Sequence, residues 1–175
     1  YASSTPATLA LSTTDDTALQ MKISLNSDLS GASWQTYNAT STISLATDPD
    51  TVYFQFRDLK GNSTASQSAT TPETPTYLFL QDVSNTTLPT PEYALLVGWK
   101  VVADPTPGFK RYNIIRSTDS TNYSLVGTVT SRLTNYYRDA TAALNTLYTY
   151  KITSEDNNNN VSYLSSASGQ GKADG

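Results

Sequence analysis

The chain has 175 residues, of which 37% are hydrophobic and 15% charged, with a net charge of −4. It holds no cysteine and no histidine, which removes disulfides, thiolate chemistry, the commonest zinc ligand and the Ser-His-Asp arrangement. Its basic residues form no phosphate-tracking patch and no apolar run approaches the ~20 residues that span a bilayer, so neither a nucleic-acid partner nor membrane insertion is expected.

Tyr1-Ala-Ser-Ser-Thr-Pro6 reads as linker. It has neither an initiator Met nor a signal pattern, so the expectation is a segment cut from a longer protein. Leu9 and Leu11, then Leu19, Met21, Ile23 and Leu25, recur at the period of two that marks a strand with one buried face. Asp15-Asp16 reads as the turn between these runs, and Leu29-Ser30-Gly31 as the next. Trp34 and Tyr37 follow, with Trp34 expected in the core. Ile43 and Leu45 lead to a turn at Asp48-Pro49-Asp50. In the strand after it, Val52, Phe54 and Phe56 alternate with Tyr53, Gln55 and Arg57. Asp58-Leu-Lys-Gly61-Asn62 turns the chain into a last, polar strand.

Thr70-Thr-Pro-Glu-Thr-Pro75 carries two prolines within four residues, which favours an extended, semi-rigid connector. It divides the chain into expected domains at 1–71 and 72–175. Tyr77 and Phe79 open the second half, and Tyr93 to Trp99 alternates with Leu95, Val97 and Trp99 inward. Phe109 to Ile114 places Tyr112 and Ile114 inward, and Lys110-Arg111 with Arg116 reads as a solvated strand edge. Leu125 to Val129 is short; Leu147 to Ser154 sends Tyr148, Tyr150 and Ile152 inward and Thr149, Lys151 and Thr153 outward. Asp156 to Asn160 repeats the Asp-x-x-x-Asn spacing of Asp58 to Asn62, which points to one architecture used twice. Turns recur every 8–12 residues and no helical period is sustained, so the fold expected is all-β: two tandem immunoglobulin-like sandwiches joined by a short Pro-containing linker.

From Thr74 to Ser168 the chain resembles fibronectin type III domains of bacterial secreted proteins. The resemblance lies in Val97-Gly-Trp99-Lys, in Tyr112-Asn-Ile114-Ile-Arg116-Ser, and in Tyr137-Arg-Asp139 leading into Leu144-Asn-Thr-Leu-Tyr148-Thr-Tyr150-Lys-Ile152. It implies that Tyr148 forms the family's tyrosine corner, its hydroxyl bonded back to upstream backbone. The first half, through Ser33-Trp34-Gln-Thr-Tyr37 and Val52 to Ser63, resembles the Ig-like repeats of large bacterial surface proteins. Both resemblances imply an extracellular or cell-surface location and a role as spacer, adhesive module or accessory domain.

The core expected from the two halves is Trp34, Phe54, Phe56, Trp99, Tyr112, Tyr148 and Tyr150. Tyr123, Tyr136, Tyr137 and Tyr163 are the candidates for an exposed aromatic surface. Sequons occur at Asn38, Asn62, Asn85, Asn122 and Asn160; Asn38, Asn85 and Asn122 are the candidate glycan sites. Asp15-Asp16, Asp48-Pro49-Asp50 and Asp156 offer hard oxygens but match no calcium loop, so they read as turns, and no cofactor or metal is expected. No motif supports a catalytic site. The leading expectation is therefore a non-catalytic structural or adhesive segment whose partners are neighbouring domains of a larger chain. The alternatives are a filament or surface-layer subunit pairing with identical copies, and a carbohydrate-binding module beside a polysaccharide-degrading enzyme.

Overall fold

A computed structural model describes residues 7–13, 18–45, 47–105 and 107–175; the readings of Tyr1–Pro6 as linker and of Asp15-Asp16 as a turn fall outside them. The described chain is all-β. In its first part β1 (Ala7–Ala10), β2 (Ala18–Ser24), β3 (Gln35–Thr36), β4 (Thr40–Ile43), β5 (Thr51–Asp58) and β6 (Gln67–Thr70) form two sheets, β1–β4 and β3–β2–β5–β6. Alternation on β5 buries Val52, Phe54 and Phe56 against Leu9, Leu11 and Met21. Phe54 and Phe56 lie 5.7 Å apart, and Tyr37 meets Phe56 edge-on.

The second part repeats the plan with one strand more. Its elements are β7 (Thr76–Asp82), β8 (Leu95–Lys100), β9 (Phe109–Ser117), β10 (Ser124–Val129), β11 (Tyr136–Asp139), β12 (Leu147–Asp156) and β13 (Gly171–Lys172). They make the sheets β11–β8–β7 and β10–β9–β12–β13 around a separate core of Leu95, Val97, Trp99, Tyr112, Ile114, Tyr148, Tyr150 and Ile152, among others. Trp99 packs against Tyr112 at 5.0 Å, and the Tyr112 hydroxyl accepts from Val102 N–H and donates to the Arg132 carbonyl. Tyr148 Oη accepts the N–H of Ala143, five residues upstream, at 3.2 Å. The corner that the resemblance implies is therefore formed.

The two Asp-x-x-x-Asn segments are the same turn. Asp58 Oδ1 accepts from Asn62 N–H at 2.8 Å and its Oδ2 from Asn62 Nδ2 at 2.7 Å. Asp156 and Asn160 repeat both bonds at 2.8 Å. In each turn the residue before the asparagine, Gly61 or Asn159, takes a positive φ, the backbone conformation that Gly and Asn tolerate.

Several side chains depart from their expected faces. Trp34 is half-exposed and outside the core. It sits in no strand, so no alternation ties it inward; instead Arg57 and Lys22, on the outer face of the β2–β5 pair, lie 4.3 and 4.9 Å from its ring centroid. On β7 the register advances from Thr76 opposite Lys100 to Phe79 opposite Gly98, so β7 carries one residue more than β8 between them. This bulge turns Leu78 and Leu80 toward the core and leaves Tyr77 and Phe79, to which the sequence assigned no face, outward. Strand β12 is buried on both faces, including Thr149 and Thr153, which were expected outward. Nor is Lys110-Arg111 a free strand edge: both pair at 2.7 Å with the buried carboxylate of Glu155.

Candidate functional site

The chain has neither histidine nor cysteine, and the candidate site lies where the two sandwiches meet and a cleft is lined by both. The second sandwich adds backbone to the first. Thr8 and Val161 exchange both hydrogen bonds, at 3.2 and 2.9 Å, on the edge of β1 that β4 does not cover. Asn160 Oδ1, already held by the Asp156 turn, accepts from Ala10 N–H at 3.3 Å.

The connector is not a free spacer. Thr71, Pro72, Thr74 and Pro75 are buried, and polar groups of both sandwiches hold them. Thr71 N–H donates to the Asp50 carbonyl at 2.9 Å, and Thr74 N–H to Asp48 Oδ1 at 3.1 Å. From the other side, Ser154 Oγ donates to the Glu73 carbonyl at 2.5 Å and Ala103 N–H to Glu73 Oε2 at 2.8 Å. Tyr163 lies across the junction, its hydroxyl bonded to both the N–H and the carbonyl of Leu45.

Residues 162–168 explain why this surface is irregular. Ser162, Ser165 and Ser168 each donate a backbone N–H to a β12 carbonyl (Ser154, Ile152 and Tyr150). Each also accepts, through its Oγ, the N–H of that same β12 residue at 2.9–3.0 Å. A hydroxyl thus replaces the carbonyl a regular partner strand would offer. The repeat is three residues rather than two, and the serine spacing in Ser162-Tyr-Leu-Ser165-Ser-Ala-Ser168 is the signal for it. Between the serines, Tyr163, Leu164, Ser166 and Ala167 face a cleft of about 480 Å³ whose other walls come from Leu45, Thr47 and Asp48 of the first sandwich and from residues 74–78.

The tyrosines expected to share one exposed surface do not. Tyr136 is 55% exposed on β11. Tyr137, its neighbour, points inward to the second core, where its hydroxyl donates to the Val126 carbonyl at 2.7 Å across the β10 bulge. Tyr123 is half-buried beneath Lys151, whose Nζ lies 4.9 Å from its ring centroid. Tyr163 is half-buried at the junction. Asn38, Asn85 and Asn122 are exposed, and Asn122 Nδ2 also donates to Asp119 Oδ2 at 2.7 Å.

The strongest charge pairing is structural. Asp139 is fully buried and receives Arg116 Nη1 at 2.6 Å, Tyr150 Oη at 2.7 Å, and Thr141 through its N–H and Oγ1. Burial opposes ionisation of Asp139, but the Thr141, Tyr150 and Arg116 donors outweigh it and hold its pKa below the usual value. Burial, helped by the Asp139 carboxylate, pushes the Tyr150 phenol far up. Among the described residues no group of three or more His, Cys, Asp or Glu is placed to hold a metal, and no helix is long and apolar enough to cross a membrane.

No protein-family model and no curated protein matches the chain. Among solved structures it is similar to a fibronectin type III-like protein of Clostridium thermocellum, at 26% identity and a TM-score of 0.41, over 55% of this chain and 88% of that one. The fibronectin(III)-like modules of CbhA from Clostridium thermocellum align over 95% of this chain and 84% of theirs, at 9% identity and a TM-score of 0.35. A beta-1,2-glucanase of Parabacteroides distasonis aligns over 98% of this chain but only 28% of its own, at 17% identity and a TM-score of 0.43. The strand order itself carries the fold: a β11–β8–β7 sheet facing β10–β9–β12–β13, and the same plan without its first strand in β1–β4 facing β3–β2–β5–β6. The chain is a tandem of two immunoglobulin-like β-sandwiches, the second with the fibronectin type III arrangement.

Proposed function

We propose that this chain is a non-catalytic segment of an extracellular or cell-surface protein, and that its task is to hold two sandwich modules at one fixed angle between neighbouring domains. The observation that carries this reading is the seam. A two-bond strand addition at Thr8 and Val161 and a buried, doubly anchored Thr71–Pro75 connector join the modules at several separate points. A linker meant to swing would be exposed and solvated. Inter-domain contacts inside one chain usually leave relative motion open; here main-chain pairing restricts it.

The test is nuclear magnetic resonance of the whole chain in a weakly aligning medium. Backbone dipolar couplings from both modules should fit a single alignment tensor. Two tensors of different magnitude would mean that the modules tumble apart, and the fixed-angle role would be lost.

A further inference from the structure

Tyr77 holds a φ of 53°, a left-handed conformation that a bulky aromatic residue rarely adopts. The β7 bulge leaves this residue 81% exposed. A strained backbone that presents a ring to solvent, rather than burying it, is the kind of outlier that clusters at binding sites. The ring borders the cleft between the modules, together with Tyr163 and the exposed carboxylate of Asp48. Tyr163 is immobilised through its hydroxyl on Leu45, and Thr47, Thr74 and Ser166 add hydroxyl groups to the walls.

The lining contains no lysine or arginine. A carboxylate without a cation beside it disfavours phosphates, sulfates and uronates. An aromatic face next to a carboxylate and several hydroxyls suits a neutral polyhydroxylated ring, whose C–H face stacks while its hydroxyls donate and accept. The volume falls within the range of small-ligand sites. We propose that the cleft binds a neutral saccharide, with Tyr77 stacking on a pyranose face and Asp48 accepting from sugar hydroxyls. Because both modules supply walls, this site rests on the fixed seam proposed above.

The test is a titration of the amide spectrum of the whole chain with cellohexaose, xylohexaose and mannohexaose, each to millimolar concentration. At least one should shift the amides of Thr47, Thr76 to Leu78 and Leu164 to Ala167. Tyr77→Gly accepts the left-handed backbone without strain, so it should keep or raise the melting temperature while weakening binding about tenfold or more. A melting temperature lowered by Tyr77→Gly would make the ring a packing element and overturn the stacking role. So would binding left intact by both Tyr77→Gly and Asp48→Asn. Silence from all three hexasaccharides together with a single alignment tensor overturns the saccharide site and leaves the seam standing; silence with two tensors overturns both. Concentration-dependent shifts at these residues without sugar would give the cleft to a second copy of the chain and also overturn the proposal.

Discussion

In the second module β8 lies between β7 and β11, so its sheet has a covered centre. In the first module the equivalent strand, β1, has β4 on one side, and Asn160 and Val161 of the second module meet its other edge. Their cores differ in the same direction. Among the described residues the first core is built on six buried apolar side chains, the second on eleven, including Trp99, Tyr112, Tyr148 and Tyr150. The second also ties its sheets together through the buried Arg116–Asp139–Tyr150 cluster, for which the first has no counterpart among the described residues. Two copies of one strand plan can therefore differ in self-sufficiency: the module with the open edge borrows backbone pairing from its neighbour.

The sharpest break of this comparison is separation. Residues 72–175 alone should fold cooperatively, with dispersed amide resonances. Residues 1–71 alone should remain largely unfolded, because a domain that small buries only about 60% of its unfolded surface even when its edges are closed. A well-dispersed spectrum from residues 1–71 would show that the Val161 contact is not needed.

Next in size is the buried carboxylate. Asp139→Ala strands Arg116 and the Tyr150 hydroxyl and should cost about 3–5 kcal/mol in denaturant unfolding of the second module. Phe56→Ala, a pure cavity in the first core, should cost a similar amount, about 3–5 kcal/mol, but in the transition of the first module. The pH dependence sharpens the contrast. Asp139 and Glu155 are buried, which works against their ionisation, yet their hydrogen-bond donors and cations hold both pKa values below the unfolded ones. Their contribution is thus complete above the unfolded carboxylate pKa values of about 4 and disappears as pH falls through the folded ones. Acid titration followed by Trp99 fluorescence should unfold the second module below about pH 4, and Asp139→Ala should flatten that acid limb.

The smallest expected effect is at the junction. Tyr163→Phe removes the hydroxyl bonded to Leu45 and should cost about 1 kcal/mol, read as a lowered midpoint of the first module. An equal shift in the second module would mean that the seam supports both alike.

Much of the fold was legible in the chain because strands with one buried face write themselves at a period of two. Val52, Phe54 and Phe56 on β5 are buried as their alternation predicts, whereas on β12 Tyr148, Tyr150 and Ile152 are buried together with Thr149 and Thr153 of the opposite face. The paired Asp-x-x-x-Asn turns were equally plain, since an Asx side chain bonds its own local backbone and needs no distant partner. The candidate site was much less legible. Tyr77 and Phe79 face outward because a bulge shifts the β7 register, and nothing local to Thr76–Asp82 announces it. Tyr163 was expected on an open surface and instead bridges the modules. Trp34 was expected in the core and instead stacks under two cations that only sheet pairing brings together. The serines at 162, 165 and 168 did carry a signal, a period of three, which alternation counting passes over.

What the sequence determined by itself was therefore local: strand faces, turn chemistry, the absence of histidine and cysteine, and the repetition of one plan. Tertiary structure alone decided that the proline-containing connector is buried, that β1 is completed by the other module, and that a cleft opens between them. The physical reason is separation along the chain. Each of these features pairs groups far apart in sequence, Thr8 with Val161, Asp48 with Thr74 and Leu45 with Tyr163. No short-range pattern encodes which distant backbone or hydroxyl will meet the groups that a strand edge or a connector leaves open.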